Sequence, residues 1–396
     1  MGSSRPALPA AREPGLVALQ VPIRPLGDDM ILCKMPFIDL HAHFAMHHEI
    51  PDDLGQKILF DSLNSTINYE GLQPRVSLKR WFDDNSDNAV TGFGSVLYDP
   101  QDDFFVDDPN TPRPKAFQHI TDQLGRVVNE ITDDKRVRIA RNPNDVDKFV
   151  KAGQKFIFHT LEGGFSLQGN PDNVKVLADL GIAMITPAHL FYRAVSTCEN
   201  GFPPLVYPTF HKELDSQPCF GLSALGQKIV EECFHRGVLV DLTHARTDAQ
   251  QDIFEIAAGY KNRPVISSHN AVRGICDAGL NLSNDVIKRI QTSNGIIGVI
   301  FYKQWLQHVQ KPDTRDDCEL ITDVIDYIHC VTGTYDNVGI GSDLDGFIEP
   351  IQMCSNYSKM SALPPCLIAK YGKDVANRIL YLNAQRVLQT GWDGAK

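Results

Sequence analysis

The chain has 396 residues, 42% of them hydrophobic and 22% charged, and a formal net charge of −11. That balance supplies a large apolar core, and the length suits two or three ordinary domains or a single α/β barrel. The negative charge excludes a general affinity for nucleic acid or anionic membrane, because both select basic surfaces.

The chain opens with MGSSRPALPAAREPG, which lacks the continuous apolar core of a secretory signal. No apolar run approaches the roughly 18 residues of a membrane span. Nine cysteines are scattered without a CxxC pair. They predict reduced, mostly buried thiols in a cytoplasmic protein, with one disulfide, for example from Cys198, as the alternative. Residues 1–30, rich in Pro, Ala and Gly, are expected to form a flexible leader. Residues 31–396 are expected to form one domain.

After the leader, short apolar runs alternate with helical patterns. Strands are predicted at 36–40, 90–97, 155–161, 182–187, 238–242, 264–268, 295–301 and 338–341. Several are continuous apolar runs, as parallel strands covered on both faces require. The clearest helix runs over 223–235. Ser223 supplies a cap, Leu225, Ile229, Val230 and Cys233 share a face, and Gly237 follows the end. Ser283 likewise caps a helix through Ile290, and 316–331 is amphipathic. Eight strands interleaved with helices predict a (β/α)8 TIM barrel, with a doubly wound open sheet as the alternative. Two stretches exceed a minimal barrel. Residues 45–88 are expected to cover the barrel mouth, and 191–220, rich in proline and aromatics, to form a wall beside a site.

Polar residues gather where these strands end. The ends read Asp39-Leu40-His41-Ala42-His43, His159-Thr160-Leu161-Glu162-Gly163-Gly164, Thr186-Pro187-Ala188-His189, Asp241-Leu242-Thr243-His244, Ser267-Ser268-His269 and Gly341-Ser342-Asp343-Leu344-Asp345. Barrel enzymes build their sites from the carboxyl ends of the strands. Residues i and i+2 of a strand point the same way, so His41 and His43 can ligate one metal. His244 and His269 offer ligands for a second. Glu162 is the natural bridge, with two oxygens for two cations, and Gly163-Gly164 permits a sharp turn beside it. Histidine and carboxylate ligands suit zinc first, with iron, manganese and nickel as chemical alternatives. Asp343 is the candidate proton carrier and His189 the candidate donor to a developing oxyanion. Asp345 reads as a turn cap. No serine elbow, P-loop or dinucleotide fingerprint competes with this reading.

The stretches PFIDLHAHF, FHTLEGGFSL, ITPAHLFYRA, GLSALGQKIVEECFHRGVLVDLTHA, PVISSHNAVRGIC, NLSND, GIIGVIFY, NVGIGSDLDG and LNAQRVL follow one another in an order that resembles the membrane dipeptidase family of the amidohydrolase superfamily. The resemblance spans about 35–392. It implies a zinc hydrolase on a distorted barrel that cleaves dipeptides, and often a homodimer. It implies His41, His43, Glu162, His244 and His269 as ligands of two divalent ions, His189 at the scissile carbonyl and Asp343 at the proton.

Two departures stand out. The family's first motif is usually HxD, and His43 replaces the Asp, which raises the charge of the site by one unit. An arginine usually receives the substrate carboxylate just before Asn281, and here that position is Leu280. Burying a carboxylate against an apolar side chain costs several kcal/mol. Lys303 (after Tyr302), Arg193 and Arg273 are the candidate substitutes. The expected function is hydrolysis of an amide bond in a dipeptide, a modified dipeptide or an N-acyl amino acid. A lactone or cyclic amide hydrolase, or a non-catalytic metal scaffold, is the alternative.

Overall fold

The computed structural model describes residues 35–45, 89–104, 108, 110–111, 113–201, 212–307 and 314–395. The predicted leader lies outside these, as do most of 45–88 and part of the predicted wall.

Among the described residues nine parallel strands run in chain order: β1 Ile38–Ala42, β2 Gly92–Leu97, β3 Val137–Ile139, β4 Lys155–Glu162, β5 Ile182–Thr186, β6 Leu239–Asp241, β7 Val265–Asn270, β8 Ile297–Val299 and β9 Val338–Ile340. Each neighbours the next around a ring of eight, β1-β2-β4-β5-β6-β7-β8-β9, closed by pairing of β9 with β1. The predicted barrel is therefore present. The ninth strand, β3, was not predicted. It pairs only with Lys155–Ile157 of β4, along the edge that β5 takes over from His159. Three residues are too few for a periodicity to show.

The helices are α1 Pro100–Phe104, α2 Ala116–Asp133, α3 Pro143–Lys151, α4 Asp172–Asp179, α5 Ala224–Arg236, α6 Thr247–Ala257, α7 Asn284–Thr292, α8 Lys303–Leu306, α9 Asp317–Thr332, α10 Leu363–Asn377 and α11 Asn383–Gly391. The predicted caps form: Ser223 accepts from the Gly226 amide and Ser283 from Val286. The amphipathic 316–331 stretch also begins with a cap that was not predicted, a capping box between Asp316 and Glu319. Gly237 ends α5 at φ 66°, a backbone that glycine adopts without strain.

The eight strands of the ring are buried on both faces, which explains their unbroken apolar runs. One cluster, containing Leu40, Phe156, Phe158, Met184, Leu239 and Ile266, includes Val387, Leu388 and Trp392 from α11 and its end. A larger cluster joins the strands to the helices. Close backbone approach near the site depends on two glycines. A Cβ on Gly298 or Gly341 would stand 1.9 or 1.7 Å from the Ser268 carbonyl oxygen.

The thiols do not all stay reduced. Cys318 and Cys366, in the first turns of α9 and α10, form a disulfide with Cα atoms 6.0 Å apart. This corrects the all-reduced reading and removes the support that unpaired thiols gave to a cytoplasmic location. The bond joins residues 48 apart with no spacing motif, so only packing of the two helices reveals it. Cys198, which the alternative invoked, is free and buried. Among the described residues no helix is long and apolar enough to cross a membrane.

Candidate metal centre and active site

The closed ring brings together side chains 41 to 343 residues along the chain. His41 lies in β1 and His43 just beyond it, Glu162 ends β4, and His269 lies in β7. His189, His244 and Asp343 each follow β5, β6 and β9 by three residues. All seven are nearly fully buried.

Glu162 is the hub. Its Oε1 lies 3.1 Å from His244 Nε2, 3.6 Å from His41 Nε2 and 3.7 Å from His269 Nε2. Its Oε2 lies 3.1 Å from His43 Nε2 and 3.6 Å from His189 Nε2. Asp343 Oδ1 stands 3.2 Å from His43 Nε2 and 3.8 Å from His41 Nε2. The Nε2 atoms of His41 and His43 are 3.3 Å apart, and those of His244 and His269 are 3.1 Å apart.

These spacings test the fit to metal ions. Donors about 2.0–2.1 Å from a tetrahedral ion lie roughly 3.3 Å from one another. Three overlapping groups come near that spacing, each with one ligand atom per residue within 4.8 Å of the others: His41, Glu162 and His269; His41, His43 and Asp343; Glu162, His189 and His244. Glu162 Oε2 is buried without a hydrogen-bond donor, which leaves a lone pair for a cation. The donor set of imidazole and carboxylate fits divalent metal.

Other buried groups hold the candidate ligands in place. Asp241 accepts from the hydroxyls of Thr186, Thr243 and Ser268 and from the amides of Thr243 and Ser268. Ser268 Oγ then lies 3.2 Å from His41 Nδ1 and 2.9 Å from His269 Nδ1, so one hydroxyl orients two rings. Asp39 ties β1 to the β9 end by accepting from the Ser342 amide and hydroxyl and from Tyr357. His244 and Asp343 take left-handed backbone, φ 66° and 57°. Such conformations cost a non-glycine residue about 1–3 kcal/mol and cluster at functional sites.

The charges are strongly coupled. Burial alone would raise Glu162, but His189, His41 and His43, with the hydrogen bond to His244, hold it well below the usual carboxylate range. Burial opposes charge on His43, yet Glu162 and Asp343 outweigh it and push the ring up to about 9. Burial and the neighbouring imidazoles, led by His41, push His269 well below its usual value.

Sequence reasoning missed Asp103. This carboxylate in α1 is fully buried, and its Oδ2 lies 2.7 Å from His189 Nδ1 and accepts from Tyr98 Oη at 3.2 Å. Arg193 wraps the Asp103 carbonyl with Nε and Nη2. The DPQDDF stretch offers no motif, and only the fold carries it to His189. Among the other candidates, Tyr302 lines the cavity over the candidate ligands, together with Leu190, Trp305, Phe347 and Ile348. Lys303 and Arg273 do not line it. Arg273 donates to the Asn281 and Gly279 carbonyls, and Arg193 is committed to Asp103. Leu280 is buried beside Gly201 of the cavity wall. The cavity over the cluster measures about 40 Å³.

A closed parallel barrel with such a cluster at the carboxyl ends of its strands defines a class, the (β/α)8 metallohydrolases. The chain belongs to the membrane dipeptidase family (Peptidase family M19), whose family model matches residues 30–392. It is 27% identical over 186 residues to an uncharacterized dipeptidase of Schizosaccharomyces pombe, covering 47% of this chain and 41% of that protein. The chain thus matches less than half the length of that relative. Its fold resembles a crystal structure of dipeptidase AC, a metallopeptidase, with a TM-score of 0.69, 18% identity and coverage of 91% of this chain and 100% of the other. It also resembles a metallopeptidase from Rhodobacter sphaeroides liganded with a phosphinate mimic of L-Ala-D-Ala. There the TM-score is 0.67 and the identity 17%, with 90% and 99% of the two chains covered.

Proposed function

We propose that this cavity is the active site of a binuclear metal-dependent hydrolase that cleaves the amide bond of a dipeptide, dipeptide-like or N-acyl amino acid substrate. The observation that carries it is the convergence of the Nε2 atoms of His41, His43, His244 and His269 within 3.1–3.7 Å of one glutamate. The dipeptide mimic held by the Rhodobacter sphaeroides neighbour supports the substrate class.

Two divalent ions, zinc first among them, held by His41 and His43, by His244 and His269, and by Glu162 between them, would supply Lewis acidity and an activated water. Asp343 takes the proton of the attacking water and delivers it to the leaving nitrogen, acting as base and then acid. His189 Nε2 donates to the carbonyl oxygen as negative charge develops there. Asp103 at Nδ1 keeps that ring aimed and balances its charge. The apolar wall of Leu190, Trp305, Phe347 and Ile348 excludes bulk water, which strengthens each of these interactions.

One observation favours a second reading. No Lys or Arg is among the described residues lining the cavity, and Leu280 holds the position where a carboxylate-binding arginine was expected. A neutral lactone or cyclic amide meets such a wall without an unpaired charge.

The test is to count metal and assay the loaded protein against L-L and L-D dipeptides, N-acyl amino acids, lactones and cyclic amides. Turnover of acyclic amides, lost on chelation and restored by zinc, is the expected result. In Asp343→Asn, kcat should fall about 10²–10⁴-fold with the metal retained. Turnover of lactones alone would select the second reading. Stoichiometric metal with no turnover of any of these would sink both.

A further inference from the structure

His41, His43, His244 and His269 all turn Nε2 toward Glu162, but only two of these rings are held at Nδ1. His43 Nδ1 and His244 Nδ1 are buried with no hydrogen-bond partner among the described residues. His41 Nδ1 and His269 Nδ1 both meet the Ser268 hydroxyl, at 3.2 and 2.9 Å. Under the proposed binuclear reading, on which this inference rests, those two rings belong to different ions. Each ion site thus has one ring held at Nδ1, and one oxygen atom holds both. Neighbours in a regular strand point to opposite faces. β7 shifts register between Ser267 and Asn270, and there the hydroxyl reaches the ring beside it.

Asp241 sets the direction of each hydrogen bond. Its Oδ1 accepts from the amides of Thr243 and Ser268 and from the Thr243 hydroxyl, and its Oδ2 accepts from the hydroxyls of Thr186 and Ser268. A carboxylate offers no donor, so the one proton of the Ser268 hydroxyl points at Oδ2, 2.5 Å away. The serine oxygen then has only lone pairs for the two rings. Both Nδ1 atoms therefore carry a proton and donate it, and both Nε2 atoms present a lone pair on the side of Glu162. Ser268 and Asp241 are each 1% exposed, so bulk water does not take the place of the hydroxyl.

We propose that Ser268, aligned by Asp241, is a positioning residue shared by the two ion sites: its hydroxyl fixes the metal-binding tautomer of one ring at each. A ring that carries its proton on Nε2 has no lone pair there for an ion, and the hydrogen bond at Nδ1 decides which nitrogen is protonated. Both sites therefore depend on the orientation of a single O–H. Asp241→Asn reverses that orientation. The two amide N–H groups at Oδ1 require an acceptor, so the new carbonyl oxygen sits there and the new NH₂ takes the place of Oδ2. The NH₂ donates to Ser268 Oγ, whose own proton then turns to one of the rings. That ring must accept at Nδ1 and carry its proton on Nε2.

The test uses the full-length protein with its histidine rings labelled with ¹⁵N. Tautomers are read by NMR on the metal-free protein at about pH 9.5, well above the ordinary imidazole range. Zinc affinity is read separately by competition with a chelator. The ring signals are assigned by their loss in His41→Gln and His269→Gln. The parent should show both rings protonated at Nδ1. Asp241→Asn should move the proton of one ring to Nε2 and weaken zinc about 10–100-fold. Ser268→Ala leaves Asp241 the hydroxyl of Thr186, both donors of Thr243 and the amide of residue 268, so the fold keeps its hub. It should mix the tautomers of both rings and weaken both zinc ions about 10–100-fold. Rings that stay protonated at Nδ1 in both variants, or zinc weakened at one site alone in Ser268→Ala, would overturn the proposal. A parent that binds fewer than two zinc ions while its tautomers respond as described would sink the binuclear reading and leave the control by Ser268 standing.

Discussion

Replacing Asp103 with Asn isolates what a buried carboxylate does for His189. The side chain is fully buried, 2.7 Å from Nδ1 of the ring and 3.2 Å from the Tyr98 hydroxyl. Asparagine keeps the shape and one acceptor oxygen but removes the charge. Hydrogen bonds to charged groups contribute about 1.5–3 kcal/mol, against about 0.5–1.5 kcal/mol for neutral ones. The difference, about 1–1.5 kcal/mol, corresponds to a rate factor of about 5–13. If His189 stabilises charge that develops during the reaction, this loss falls on kcat rather than KM. Asp103→Asn is expected to bind its full complement of metal and to lose about tenfold in kcat. Asp103→Ala is expected to lose stability as well, because it strips buried partners from His189 and Tyr98. The measurements are steady-state kinetics on the best substrate, elemental analysis and urea unfolding. A kcat within twofold of the parent, with metal and fold intact, would refute the role given to the Asp103–His189 pair.

Two further outcomes are expected. His43→Asp puts a third carboxylate against Glu162 and Asp343, which now lie 3.1 and 3.2 Å from His43. The metal-free protein should melt lower and the loaded protein should hold metal at least about tenfold more tightly, because an anion replaces a neutral ligand; competition with a chelator measures this, and an unchanged affinity would remove position 43 from the ligand set. Substituting Cys318 and Cys366 together with Ser opens a loop of 48 residues. Chain entropy puts the loss near 4 kcal/mol; a urea midpoint that does not move would show that the bond does not constrain the unfolded chain.

Much of the fold was legible because parallel strands buried on both faces are written as unbroken apolar runs, and eight such runs mark the eight strands of the ring. The carboxyl ends were legible for a related reason. A polar residue directly after an apolar run has few structural reasons to be there, so His41, His43, Glu162, His189, His244, His269 and Asp343 stood out together. The three residues of β3 carried no such signal. Asp103 sits in a stretch of polar residues that looks like surface, and only the packing of α1 against the segment after β5 buries it beside His189. The same limit hid the Cys318–Cys366 bond.

The chain alone thus determined which residue types lie at the strand ends, since periodicity and punctuation are local properties. Tertiary structure decided which of them share an atom-scale neighbourhood. It placed Glu162 at the centre, put Asp103 behind His189, and spent Arg193 and Arg273 on backbone carbonyls away from the ligands. The physical reason is that contacts among residues far apart in sequence depend on how the barrel closes. No local pattern encodes that closure.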